Sequence, residues 1–153
     1  MGRVSERADI LDGSAVEPGM AVLGLRSSGL HSNGYSLARK IIFEEAGLGL
    51  DDPLPGSGRT VADELLEPTR IYVKPVLELL RTFRVGAIAH ITGGGLLENV
   101  PRVLPEGAAV TFCRDRWELP PIFRYLQDQG SIDATGMLRT FNCGIGLVVA
   151  MDG

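Results

Sequence analysis

The chain has 153 residues, 44% of them hydrophobic, and a net charge of -4, which suits one domain able to bury a core without disulfide or metal staples. The acidic balance carries no basic stripe and argues against nucleic acid as a partner, and no apolar run approaches the length of a membrane span or of a signal peptide's h-region. Twenty glycines, about 13% against a usual ~7%, flank apolar runs without a fixed period, which excludes collagen and disorder and points to an α/β domain with tight turns.

Cys113 and Cys143 are thirty positions apart, without a C-x-x-C or a nearby histidine pair. A reduced, cytoplasmic compartment is the expected setting. Met1-Gly2 resembles a myristoylation start, but Glu6 stands where that signal needs Ser or Thr. The protein is expected to be soluble, with no membrane partner and no metal site of its own.

In chain order, Asp12-Gly13 and Pro18-Gly19 are turn dipeptides ahead of an apolar strand over Met20 to Leu25. A helix follows from Gly34 to Ala46, with Leu37, Ile41 and Ile42 on one face and Gly47 as left-handed C-cap. Asp51 to Gly58 is a connector. Thr60 and Asp63 suggest a capping box for a short helix ending at Leu66, and Pro75 suits the start of the next helix. Ala87 to Ile91 reads as a buried strand, Leu96 to Leu104 as a helix interrupted by Pro101, and Ala108 to Cys113 as another strand. Pro120-Pro121 opens a helix to Gln129, Met137 to Phe141 is a helical turn or loop, and Gly144 to Met151 is the last strand. This alternation predicts a layered α/β sheet with helices on its faces.

The segment Ser27-Ser28-Gly29-Leu30-His31-Ser32-Asn33-Gly34 lies between a strand and a helix. Such a turn aims backbone N-H groups and the positive end of a helix dipole at an anion, phosphate above all. It has neither the G-x-G-x-x-G spacing nor a Gly-Lys-Ser ending. His31 there is read either as a proton-transfer or charge-stabilising group or as a turn histidine. Ser27, Ser28, Ser32 and Asn33 are cap and turn residues, or ligand contacts as well. Thr92-Gly93-Gly94-Gly95 costs more backbone entropy than a turn needs, which suggests close approach to a ligand. His90 is read as a core histidine bonded to a carbonyl or as a catalytic group. Asn99 is a possible ligand donor, Glu98 a group suited to the helix dipole, and Arg139 either a phosphate fork or a surface ion pair. Asn142 precedes the last strand, and Cys143 is read as a small buried residue. Arg70, Tyr72 and Lys74 are read as a polar edge or a solvated helix face.

Together with Asp12-Gly13-Ser14 and Glu67-Pro68-Thr69-Arg70-Ile71-Tyr72-Val73-Lys74, the segments Ser27 to Gly34, His90 to Asn99 and Arg139 to Gly146 resemble the C-terminal domain of the phosphoribosylformylglycinamidine cyclo-ligase family, the aminoimidazole ribonucleotide synthetases. The resemblance runs from Ile10 to Ala150. It implies a layered mixed sheet with flanking helices, and an ATP-dependent ring closure of formylglycinamidine ribonucleotide in purine synthesis. It also implies ATP and magnesium held by a separate N-terminal domain, with none bound by this chain alone, and a homo-oligomer. His31 becomes the expected catalytic group; Ser27, Ser28, Gly29, Ser32, Asn33, Gly34, Thr92, Gly93, Gly94, Gly95, Asn99, Arg139 and Asn142 become expected substrate or phosphate contacts. Residues 1–153 are then one substrate-binding domain, shortened at its C-terminal end by a helix and strand, with a free sheet edge along Gly144 to Met151. A non-catalytic module of the same fold, or another superfamily kinase or synthetase such as formylglycinamidine ribonucleotide synthetase or thiamine-phosphate kinase, is the alternative.

Overall fold

A computed structural model describes Glu6 and residues 10–153; Met1-Gly2 lies outside the described residues. The centre is a three-stranded sheet in the order β1-β3-β2, formed by Ala21–Arg26 (β1), Val85–His90 (β2) and Ile145–Met151 (β3). Both pairings with β3 are antiparallel, with Leu23 opposite Val149 on one side and Ile88 opposite Val149 on the other. β1 and β2 therefore run parallel to each other, and both end where β3 begins. The layered α/β arrangement is present.

β3 reads Ile-Gly-Leu-Val-Val-Ala-Met and every residue in it is buried, as a strand apolar on both faces must be. Leu147, Val149 and Met151 join Tyr72 and Val85 on one face, while Val148 joins Ala89, Ile91, Leu96 and Val100 on the other, and the register shift at Gly146 turns Ile145 to that second face as well. The expected free edge along Gly144 to Met151 is not found, because β1 and β2 occupy both sides of β3. The open edges belong to β1 and β2.

Helices follow the local signals. Gly34 caps α1 (Tyr35–Arg39), which continues as a π-helical segment over Lys40–Glu45 and closes at Gly47, φ +67°. Thr60 accepts from the Asp63 N-H while Asp63 reaches back, completing the capping box of α2 (Val61–Leu65). α3 (Val73–Thr82) starts two residues before Pro75, whose missing N-H lies in the first turn and costs no intrahelical bond. Gly95–Asn99 (α4) is followed by a 3-10 turn at Pro101–Val103, and Pro121–Gln129 forms α5. The expected turn near Met137 to Phe141 is a full helix, α6 (Ala134–Thr140), because Asp133 accepts from the Gly136 N-H at 2.8 Å as N-cap.

One expected strand is absent. Ala108 to Cys113 runs extended without a ladder. Val110 and Phe112 tuck against the core around Leu96 while Thr111 and Cys113 face out, so the alternation is real. The nearest sheet edge, β1, is separated from it by a cleft of about 460 Å³ bordered by Leu23, Gly24, Phe112 and Trp117, so pairing cannot form. A second core, around Phe123 and Phe141, joins α1, α2, α5 and α6 beside the sheet.

Candidate functional site

Because β1 and β2 both end where β3 begins, three connections meet at one end of the sheet: residues 27–34, 91–95 and 142–144. Asn142 ties them. Buried to 1% exposure, it donates through Nδ2 to the Gly29 and Leu30 carbonyls at 2.8 and 3.2 Å, and its Oδ1 accepts from Ser27 Oγ at 2.9 Å and the Gly144 N-H at 2.8 Å. Every hydrogen-bonding group of its amide is thereby used. Asn99 does the same for the glycine triplet, donating to the Thr92, Gly93 and Gly95 carbonyls and accepting from Thr92 Oγ1. In this structure Asn99, Asn142 and the Thr92 hydroxyl, the expected ligand contacts, spend these polar atoms on shaping the loops.

The triplet divides likewise. Gly94 and Gly95 have φ of +95° and +57°, and a Cβ on Gly95 would collide with the Leu138 carbonyl. The close approach these two permit is to the chain itself. Gly93 differs: among the described residues the only atom within 4 Å of its Cβ direction, its own chain neighbours aside, is Asn33 Oδ1 at 3.9 Å, so it faces open space beside an amide that makes no hydrogen bond to any described residue. Ser32 Oγ lies 3.5 Å from Thr69 Oγ1, and Ser28 Oγ donates to the Pro68 carbonyl at 2.6 Å. Arg139 is paired with Glu98 at 3.6 Å on the surface, the ion-pair reading of that residue.

His31 is only 5% exposed and adopts φ +58°. Its Nε2 accepts the Ser28 N-H at 3.1 Å and the Arg70 N-H at 3.5 Å. Nδ1 is buried without a partner among the described residues. Burial, followed by the charges of His90 and Arg70, holds its pKa below the ordinary 6.5, so the ring is neutral at neutral pH. The expected catalytic histidine thus presents no free nitrogen to solvent here; its Nε2 lone pair joins the Ser28 N-H to the N-H of Arg70, 39 positions along the chain from the ring. Its ring packs 6.1 Å from that of Tyr72, which in turn meets His90 edge-on at 6.3 Å. Gly146 makes room for this stack, since a Cβ there would collide with Tyr72 Oη and His31 Cε1. Tyr72 Oη donates to the Arg26 carbonyl at 2.9 Å. Tyr72 and Arg70 are the partners that sequence reading set aside; the apolar context of Ile71-Tyr72-Val73 signalled burial for the tyrosine, but not its contacts.

Beside Ser27 a cleft of about 420 Å³ opens between Arg26, Arg70, Trp117 and Gly144. Cys143 is inert, buried with its thiol pKa pushed up to about 12 by desolvation. No group of three or more His, Cys, Asp or Glu side chains among the described residues is placed to hold a metal ion.

Comparison with known proteins agrees with this architecture. Curated relatives called phosphoribosylformylglycinamidine cyclo-ligase are 64% identical in Geobacter metallireducens, 60% in Citrifermentans bemidjiense and 61% in Geobacter sulfurreducens, each over 148 residues, or 97% of this chain. The chain spans 42% of the length of each of them. With its three loops gathered at one end of the sheet and the family model described as AIR synthase related protein, C-terminal domain, matching residues 17–153, the chain belongs to that family.

Proposed function

We propose that the chain forms one wall of the substrate cleft of a cytoplasmic, ATP-dependent phosphoribosylformylglycinamidine cyclo-ligase, with magnesium-ATP held by residues outside it. The observation that carries this is the meeting of residues 27–34, 91–95 and 142–144 at one end of the sheet, in a chain whose relatives bear that name. In this reaction the phosphoryl group goes to the formyl amide oxygen of the substrate. The amidine nitrogen then attacks the activated carbon, and the ring closes with release of phosphate. Such catalysis rests on positioning and on stabilising charge.

The chain's own residues divide the work. Asn33 and Gly93 face the open side, where an amide and an uncovered backbone can contact a polar ligand. The N-H groups of the Ser27 to Gly34 loop favour an anion. Asn142, Asn99 and His31 hold those loops in shape, and His31 acts as a positioning group through its neutral ring.

The test joins this chain to the N-terminal part of the Geobacter metallireducens relative and measures formation of aminoimidazole ribonucleotide. The chimera is expected to turn over while the 153-residue chain alone does not. Asn33→Ala or Gly93→Val in the chimera should lower kcat/KM by about tenfold or more, a loss of ~1.4 kcal/mol or more of transition-state stabilisation. A folded chimera without turnover, or turnover by the chain alone, overturns the reading.

A further inference from the structure

Among the described residues, Arg26, Arg39, Arg70, Arg114 and Arg116 have no carboxylate partner, whereas Arg59, Arg81, Arg84, Arg102, Arg124 and Arg139 all have one. Of these five, Arg26 and Arg70 are exposed and line the same cleft beside Ser27. Its one acidic lining residue, Glu118, is turned to Arg124 at 3.4 Å. Arg26 is the last residue of β1, at the end of the sheet where the cleft opens.

The backbones of these two arginines are pinned by one buried unit. Tyr72 donates its hydroxyl to the Arg26 carbonyl, and His31 accepts the Arg70 N-H. The two rings pack together against Gly146 at 8% and 5% exposure. Two cations anchored through a rigid pair cannot drift apart at the backbone, so their mutual repulsion is relieved by an anion seated between them. Guanidinium forks match the geometry of phosphate oxygens.

We propose that Arg26 and Arg70 form a two-guanidinium clasp for a dianionic phosphate group, with His31 and Tyr72 as positioning residues that set the spacing of the two arginines. The clasp rests on reading this end of the sheet as the ligand site, and it deepens that reading by assigning the phosphate to the arginine cleft. Inorganic phosphate, a phosphoribosyl group and the terminal phosphate of a nucleotide all offer this chemistry.

The test is titration of the isotope-labelled 153-residue chain with inorganic phosphate, ribose 5-phosphate and ADP at constant ionic strength, followed by amide and arginine Nε-H NMR signals. Saturable shifts are expected at Arg26, Ser27, Arg70 and Gly144. Arg26→Gln and Arg70→Gln should each weaken binding about tenfold and leave the rest of the spectrum in place. Tyr72→Phe, which keeps the packing and loses the bond to the Arg26 carbonyl, should weaken it about threefold. Tighter binding of ribose 5-phosphate identifies a phosphoribosyl source, tighter binding of ADP a nucleotide one, and equal binding the phosphate alone; each supports the clasp. Saturable shifts confined to residues 28–34 and 92–95 and untouched by Arg26→Gln overturn the clasp while leaving the loop reading intact. Wild-type affinity in both arginine variants, or no saturable response up to about 100 mM phosphate, overturns it as well. If the arginines respond and the chimera is inactive, the cyclo-ligase reading falls and the clasp stands.

Discussion

His31 adopts a left-handed backbone, a conformation that costs a non-glycine residue of order 1 kcal/mol and that histidine tolerates better than most. The surroundings hold it there: two N-H groups point at Nε2, and Tyr72 and Gly146 flank the ring. Protonation would remove the Nε2 lone pair and leave both N-H groups facing a cation. The groups that act on the ring reinforce this, since desolvation first, then the charges of His90 and Arg70, lower its pKa from 6.5. Below pH 6.5 the unfolded chain takes up a proton that the folded chain refuses, so stability falls as pH drops, until the folded value is passed. Urea midpoints for wild type and His31→Gln, measured from about pH 8 to about pH 5, should converge as the pH falls. A difference that stays constant with pH would contradict this account. The sequence marked His31 through its small polar neighbours; it was silent on Arg70 and Tyr72 because those contacts are made only when the chain folds back. Asn142 teaches the same lesson, with its amide bonded 113 residues away at Gly29.

Elements were legible where their signal is local. The Thr60 to Asp63 box, the Gly47 stop and the apolar run of β3 each appear in the structure at the place the residues dictate. Two readings failed for one reason, that the deciding interaction lies outside the pattern. Ala108 to Cys113 has strand alternation but lies across a cleft from the open edge of β1, and β3 is central because β1 and β2 reach it from distant parts of the sequence. α6 was underread because Asp133, its N-cap, lies three residues before Gly136, a weak helix former that obscured the signal. The capping box offers a direct check. Thr60→Ala removes the acceptor for the Asp63 N-H at 3.1 Å and should cost about 1 kcal/mol. α2 carries Leu65, whose carbonyl accepts from Tyr35 Oη at 2.5 Å, so the loss should spread to α1 as faster amide exchange. Unchanged stability with unchanged exchange at Tyr35 to Arg39 would mean that tertiary packing alone holds α2.

At the scale of the whole chain, the sheet is covered unevenly. α3 lies over the face carrying Leu147 and Val149 through Val76 and Leu79, yet none of its residues is buried. Its outer stripe of Val73, Leu77 and Leu80, spaced four and three apart, stays 61%, 48% and 41% exposed. Leu23 on β1 is 44% exposed, and the outer edge of that strand has no partner among the described strands. An apolar helix stripe beside an unpaired strand is a surface that water disfavours. The 153-residue chain alone should therefore self-associate, its mass in sedimentation rising with concentration. Because the driving force is burial of apolar area, added salt should leave this association intact or strengthen it, whereas it weakens the arginine clasp. Leu77→Glu with Leu80→Lys should return the chain to a monomer without loss of fold, since both side chains point away from the core. A monomer at every concentration in the wild type, or association unaffected by the double variant, would place the contact elsewhere than on α3.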